Sequence, residues 1–132
     1  MARYDVKVVA VATGIDERWL SSLLSRVRVT GVHGGRQGRR RSLTVDAALC
    51  AQIAYCLSSE LGASAEAAVA TAHEALRRPA GSITLGGGLL LLQFDGAELR
   101  QRLRSALDRA VEVAVETPRG RPRARSSRLV GR

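Results

Sequence analysis

Apolar side chains recur at helical spacing in four stretches of this chain. They are Leu20, Leu23, Leu24 and Val27; Leu49, Ile53, Leu57 and Leu61; Ala65, Ala68, Val69, Ala72 and Leu76; and Leu99, Leu103, Leu107, Val111 and Ala114. Each stretch is preceded by a short polar side chain suited to accept a hydrogen bond from the free N–H groups of a helix start: Asp16, Thr44, Ser64 and Asp95. Glu17 adds negative charge at the positive end of the first stretch, and Glu98 completes a capping box with Asp95. Leu61-Gly62 ends the second helix, and Arg77-Arg78-Pro79 ends the third. Tyr4 to Ala12 fits two descriptions. Its valines suit a strand, while Val8, Val9 and Ala12, followed by Gly14, suit a short helix with a C-terminal glycine.

Two segments break the helical period. Val27 to Val32 and Arg41 to Val45 are rich in β-branched residues and flank "HGGRQGRR", which predicts a β-hairpin with a glycine- and arginine-rich tip. Ile83 to Leu85 and Leu89 to Phe94, joined by Gly86-Gly87-Gly88, predict a second small hairpin. The fold class expected is therefore mainly α with small β-hairpins, ending in a long helix. The broad apolar stripe of that last helix, widened by Val113 and Val115, needs a partner. It can fold back on its own chain or pair with the same helix of a second copy. Two-fold dimers are the commonest assembly, so Leu99, Leu103, Leu107, Val111 and Ala114 are expected to form a homodimer interface.

Composition narrows the picture. Of 132 residues, 45% are apolar and only 3% aromatic, so the core must be built from Ala, Val and Leu, which favours closely packed helices. No apolar run reaches the roughly 18 residues of a membrane span. Asp5 and Lys7 interrupt the start of the chain where a secretion signal would be apolar, so a cytoplasmic protein is expected. Cys50 and Cys56 lie six apart in one helix. That spacing suits neither a metal clip nor a disulfide, and both read as small apolar residues.

Charge carries the functional signal. The net charge is +9. Arg18 to Val45 holds seven arginines and no acid, and Thr117 to Arg132 holds six more, again with no acid. The eight remaining cations face all 12 acids, which leaves the body of the chain at −4. A basic front and a basic tail flanking a mildly acidic body form the electrostatic footprint of a polyanion binder. Scarce aromatics argue against single-stranded or RNA partners, which are held largely by base stacking.

The order of helix, Gly-containing turn, helix, basic hairpin, helix and helix resembles a MerR-like winged helix-turn-helix domain. The resemblance lies in "VVAVATGIDERWLSSLLSRVRVTGV" and "GRQGRRRSLTVDAALCAQIAYCLSSELGASAEAAVATAHEAL", and covers about Val8 to Leu76. It implies double-stranded DNA as the partner and a recognition helix in the major groove. Arg18, Trp19, Ser21, Ser22, Ser25 and Arg26 would lie on the outer side of that helix, with Arg28 just beyond. It implies a wing that sets Arg36, Gln37, Arg39, Arg40 and Arg41 against the DNA backbone or an adjacent groove. The family's usual aromatic pair early in the recognition helix is missing, with Trp19 alone nearby, and Trp19 also suits packing. The metal-sensing cysteines of some members are not matched by Cys50 and Cys56, so no sensor role follows.

The tail contains "PRGRPR", which resembles an AT-hook. Arg119, Gly120, Arg121, Pro122 and Arg123 would lie along a narrow minor groove, where Gly120 permits close approach and Pro122 keeps the chain extended. A solvated charge run is the alternative. The organisation expected is thus residues 1–78 as the DNA-binding unit, 79–116 as hairpin plus helix, and 117–132 as a disordered basic tail. His33, His73, the cysteines and the scattered acids assemble no triad, dyad or metal set, and no phosphate-binding loop is present. An enzyme, a cofactor and a metal are therefore not expected. Two other classes remain open: an architectural DNA binder with weak sequence preference, and an antitoxin-like protein whose helical body binds a protein partner.

Overall fold

Four polar side chains open helices in the computed structural model, which describes residues 2–35, 40–78 and 81–116. Asp16 Oδ1 accepts from the backbone N–H groups of Arg18 (2.7 Å) and Trp19 (3.3 Å). Thr44 Oγ1 accepts from Ala47 N–H at 3.1 Å, Ser64 Oγ from Ala67 N–H at 3.2 Å, and Asp95 Oδ1 from Glu98 N–H at 3.1 Å. Each such cap contributes about 1 kcal/mol. The helices they start are α2 (Glu17–Arg26), α3 (Val45–Leu61), α4 (Ala65–Arg77) and α5 (Gly96–Glu116). Gly14 and Gly62 take the left-handed conformation that closes the first helix and α3.

The ambiguous first segment is both things it resembled. Tyr4–Asp5 is a two-residue strand, β1, and Val6–Thr13 is the helix α1. β1 pairs antiparallel with β3 (Ser42–Leu43), which also pairs with β2 (Val32–His33), giving the order β1-β3-β2. The basic hairpin is shorter than the β-branched runs suggest. Val27 caps α2, Val29 turns into the core, and Val45 already belongs to α3 because Thr44 caps that helix. Gly31 has a φ of +95°, and a Cβ there would meet Thr44 Oγ1 at 2.4 Å, so only glycine lets the turn pass the cap.

The core centres on α3, where Val45, Ala47, Ala48, Leu49, Cys50, Ala51, Ala54 and Leu57 are buried. Ala68, Val69 and Ala72 of α4 meet it, small side chains letting the two helices approach closely, and Ala75 is buried further along α4. Leu61, expected on the stripe of Leu49, Ile53 and Leu57, is exposed. A spacing of four advances about 40° beyond a full turn at each step, so a run of four such positions drifts off the buried face. The cysteines part in the same way. Cys50 is buried, with desolvation pushing its thiol up to about 12, whereas Cys56 is exposed rather than packed inside.

Helix α5 folds back on its own chain. Leu103 and Leu107 are buried in the common core against α1 and α3, Leu99 and Val111 pack at its edge, and Ala110 is buried as well. Tyr4 Oη donates to Asp108 Oδ1 at 3.1 Å, and Arg100 donates to Asp46 Oδ1 at 2.7 Å and to the Leu76 carbonyl at 3.3 Å. The stripe expected to serve a dimer is therefore spent within the chain at Leu103 and Leu107, and among its described side chains Val113 and Ala114 at the far end are exposed. The connecting hairpin, β4 (Ser82–Leu85) and β5 (Leu90–Gln93), pairs Ser82 with Gln93 and Leu85 with Leu90.

Candidate nucleic-acid interface

Helix α2 turns Leu20 and Leu23 fully inward, and that choice fixes what it shows outside. Arg18, Ser22, Ser25 and Arg26 are exposed and Ser21 is half-buried. Trp19 differs from these neighbours. Its ring meets Tyr55 of α3 edge to face, with centroids 4.9 Å apart, and is half-buried. Packing is therefore the role its position supports.

The root of the basic hairpin is fastened to this helix and to β1. Arg41 Nη2 donates to Ser25 Oγ at 3.0 Å, and Ser25 Oγ donates in turn to the Ser21 carbonyl at 3.0 Å. Arg40 Nη1 lies 3.2 Å from Asp5 Oδ2, an ion pair that the β1–β3 register, Asp5 opposite Ser42, brings into reach. The hairpin backbone passes close over Arg41, since a Cβ on Gly35 would meet Arg41 Nε at 2.8 Å.

Two open clefts share Arg41 and Gly35 in their linings. One, of about 460 Å³, runs along the end of α2 and is lined by Ser25, Arg26, Arg28, Gly34 and the shared pair, with no acid. The other, of about 400 Å³, lies towards the start of α2 and carries both signs: Lys7, Arg40 and Arg41 with Asp5 and Glu17, beside Ser21. The first can take a phosphate between guanidinium groups. The second cannot do so without bringing the phosphate near two carboxylates.

The structure thus brings together Ser21, Ser25, Arg26, Arg28, Arg40 and Arg41 in the linings of these two clefts, while Arg18 and Ser22 are exposed on α2 and line neither. Arg36, Gln37 and Arg39, expected at a hairpin tip, and Arg119, Gly120, Arg121, Pro122 and Arg123, expected in a basic tail, lie outside the described residues. Asp5 and Glu17 were not among the sequence candidates. Glu17 reads as a helix-end charge, and Asp5 gains its partner only once β1 is known to pair with β3. His73 has a structural role, its Nε2 accepting from Thr30 N–H at 3.3 Å and so tying α4 to the loop after α2. His33 is exposed.

Arg77 and Arg78 both bond Glu74 and hold its carboxyl below the usual range. Among the described residues no three His, Cys, Asp or Glu side chains gather to hold a metal, and no helix is long and apolar enough to cross a membrane. Compared with family models, with curated proteins and with solved structures, the chain finds no match.

Proposed function

We propose that this protein binds double-stranded DNA and regulates transcription, with α2 in the major groove and the hairpin acting as a wing on the flanking backbone. The observation that carries this reading is the acid-free cleft of Arg26, Arg28 and Arg41 beside the exposed hydroxyls of Ser22 and Ser25. Guanidinium groups supplied by the end of α2, the segment after it and the hairpin root suit neighbouring phosphates, while Arg18 and the serines would face the base edges. The tail adds a second, minor-groove grip through Arg119, Arg121 and Arg123.

In this reading one chain is a complete reading head. A dimer through Leu103 and Leu107 has no part in it, because separating those side chains from α1 and α3 would open the core. Regulation from a cytoplasmic or nucleoid position follows if the preferred site is short and defined.

The test is selection of bound duplexes from a random library, with the full chain and with a chain ending at Glu116. A short enriched motif for both, with weaker retention of A·T-rich flanks by the shorter chain, is the expected outcome. Uniform retention of all sequences would instead favour an architectural binder. No duplex binding at moderate salt would remove the DNA reading altogether.

A further inference from the structure

The mixed cleft poses a problem for a DNA-binding surface: it places two carboxylates where the approaching partner is a polyanion. Asp5 is neutralised by Arg40 at 3.2 Å. Glu17 has no ion-pair partner among the described residues, is exposed, and lies one turn before Ser21 on the side of α2 that lines the cleft. A free carboxylate facing phosphates would only weaken binding. Facing base edges, it is an acceptor seeking an amino group.

We infer that Glu17 reads a cytosine through its exocyclic amino group, and so sets one position of the DNA sequence this protein prefers. The inference rests on the proposal that α2 enters the major groove. The chemistry then selects the base. Guanine and thymine offer a carboxylate only acceptors, or an acceptor and a methyl group, in that groove. Adenine offers an amino group, but its N7 acceptor sits beside it and repels the second carboxylate oxygen. Cytosine presents the donor without a neighbouring acceptor of its own. The two clefts therefore divide the work on either side of Arg41: phosphate in the one lined by Arg26 and Arg28, base edge at the one lined by Glu17 and Ser21.

The experiment is selection from a random duplex library with the full chain as wild type, E17A and E17Q. The wild type is expected to enrich cytosine at one position. E17A should lose about ten-fold of that preference while keeping the rest of the motif. E17Q should move the same position towards adenine, because an amide offers the donor and acceptor that match N6 and N7. If both variants keep the wild-type motif and bind all duplexes more tightly, Glu17 merely repels the backbone and the inference is overturned. If the wild type enriches no sequence, the major-groove reading itself fails, and the assignment of Glu17 with it. Glu17 is exposed at the first helical position, so circular dichroism should show both variants folded as the wild type is.

Discussion

Arg41, the residue before β3, and Ser25 of α2 are joined by a hydrogen bond of 3.0 Å, which ties the hairpin root to the helix that would enter the groove. Arg41 then has two roles in the proposed complex, as a phosphate ligand and as a brace. The variants S25A and R41A separate them. Fluorescence anisotropy on one duplex across a salt series is expected to show weaker binding for both. Only R41A should flatten the salt dependence, by about one in the logarithmic slope. Equal slopes for wild type and R41A would leave Arg41 as a brace alone.

Leu107 is fully buried between α5 and the rest of the core, and L107A should destabilise the chain by roughly 2–5 kcal/mol in denaturant unfolding. The same variant should sediment as the wild type does. A change of oligomeric state with little loss of stability would return Leu107 to the dimer interface its spacing first suggested. A chain cut after Arg78 should fail to fold cooperatively, because it leaves the α1 and α3 surfaces under Leu103 and Leu107 uncovered.

How far the sequence spoke depends on range. Asp16, Thr44, Ser64 and Asp95 act within three residues of themselves, and each helix start was legible. Whether Tyr4 and Asp5 are strand or helix was not, because it rests on pairing with Leu43 and Ser42 far along the chain. The stripe from Leu99 to Val111 declared that α5 needs a cover, yet amphipathicity is silent on whether the cover is the same chain or another. At the candidate site the arginines stood out by number. Asp5 and Glu17 did not, since their meaning comes from the cleft that β1, α2 and the hairpin root enclose together.

The two thiols should behave oppositely. Cys56 is exposed and should react with an aromatic disulfide reagent in the native state, at one equivalent per chain. Cys50 is buried and its thiol is pushed up to about 12, so it should react only after denaturation. C56S should abolish the native reaction. Two fast equivalents in the wild type would contradict the packing around α3.

Alkaline pH should loosen the fold. Burial, and then the hydrogen bond to Asp108, raise Tyr4 above its usual 10.0, and burial raises Cys50 from 9.0 to about 12. Both groups hold their protons more tightly when folded. Their contribution is therefore fully present below the unfolded values and is lost as pH climbs through the folded ones. Thermal unfolding midpoints should fall above about pH 9. Y4F should lower the midpoint at neutral pH, through loss of the bond to Asp108, and should flatten part of the alkaline decline. An unchanged decline in both Y4F and C50A would place the alkaline sensitivity elsewhere.

The tie between Tyr4 and Asp108 also bears on how the protein is made. The surface proposed to face DNA draws on the first 43 residues, yet the helix that seats α1 from behind ends the core at Val111. A ribosome that has released only the α2 and hairpin segment has therefore made the arginines without their support. The nascent chain gains the support for this proposed surface late, when nearly all of it has emerged, and a message truncated before α5 should yield a product removed by proteolysis.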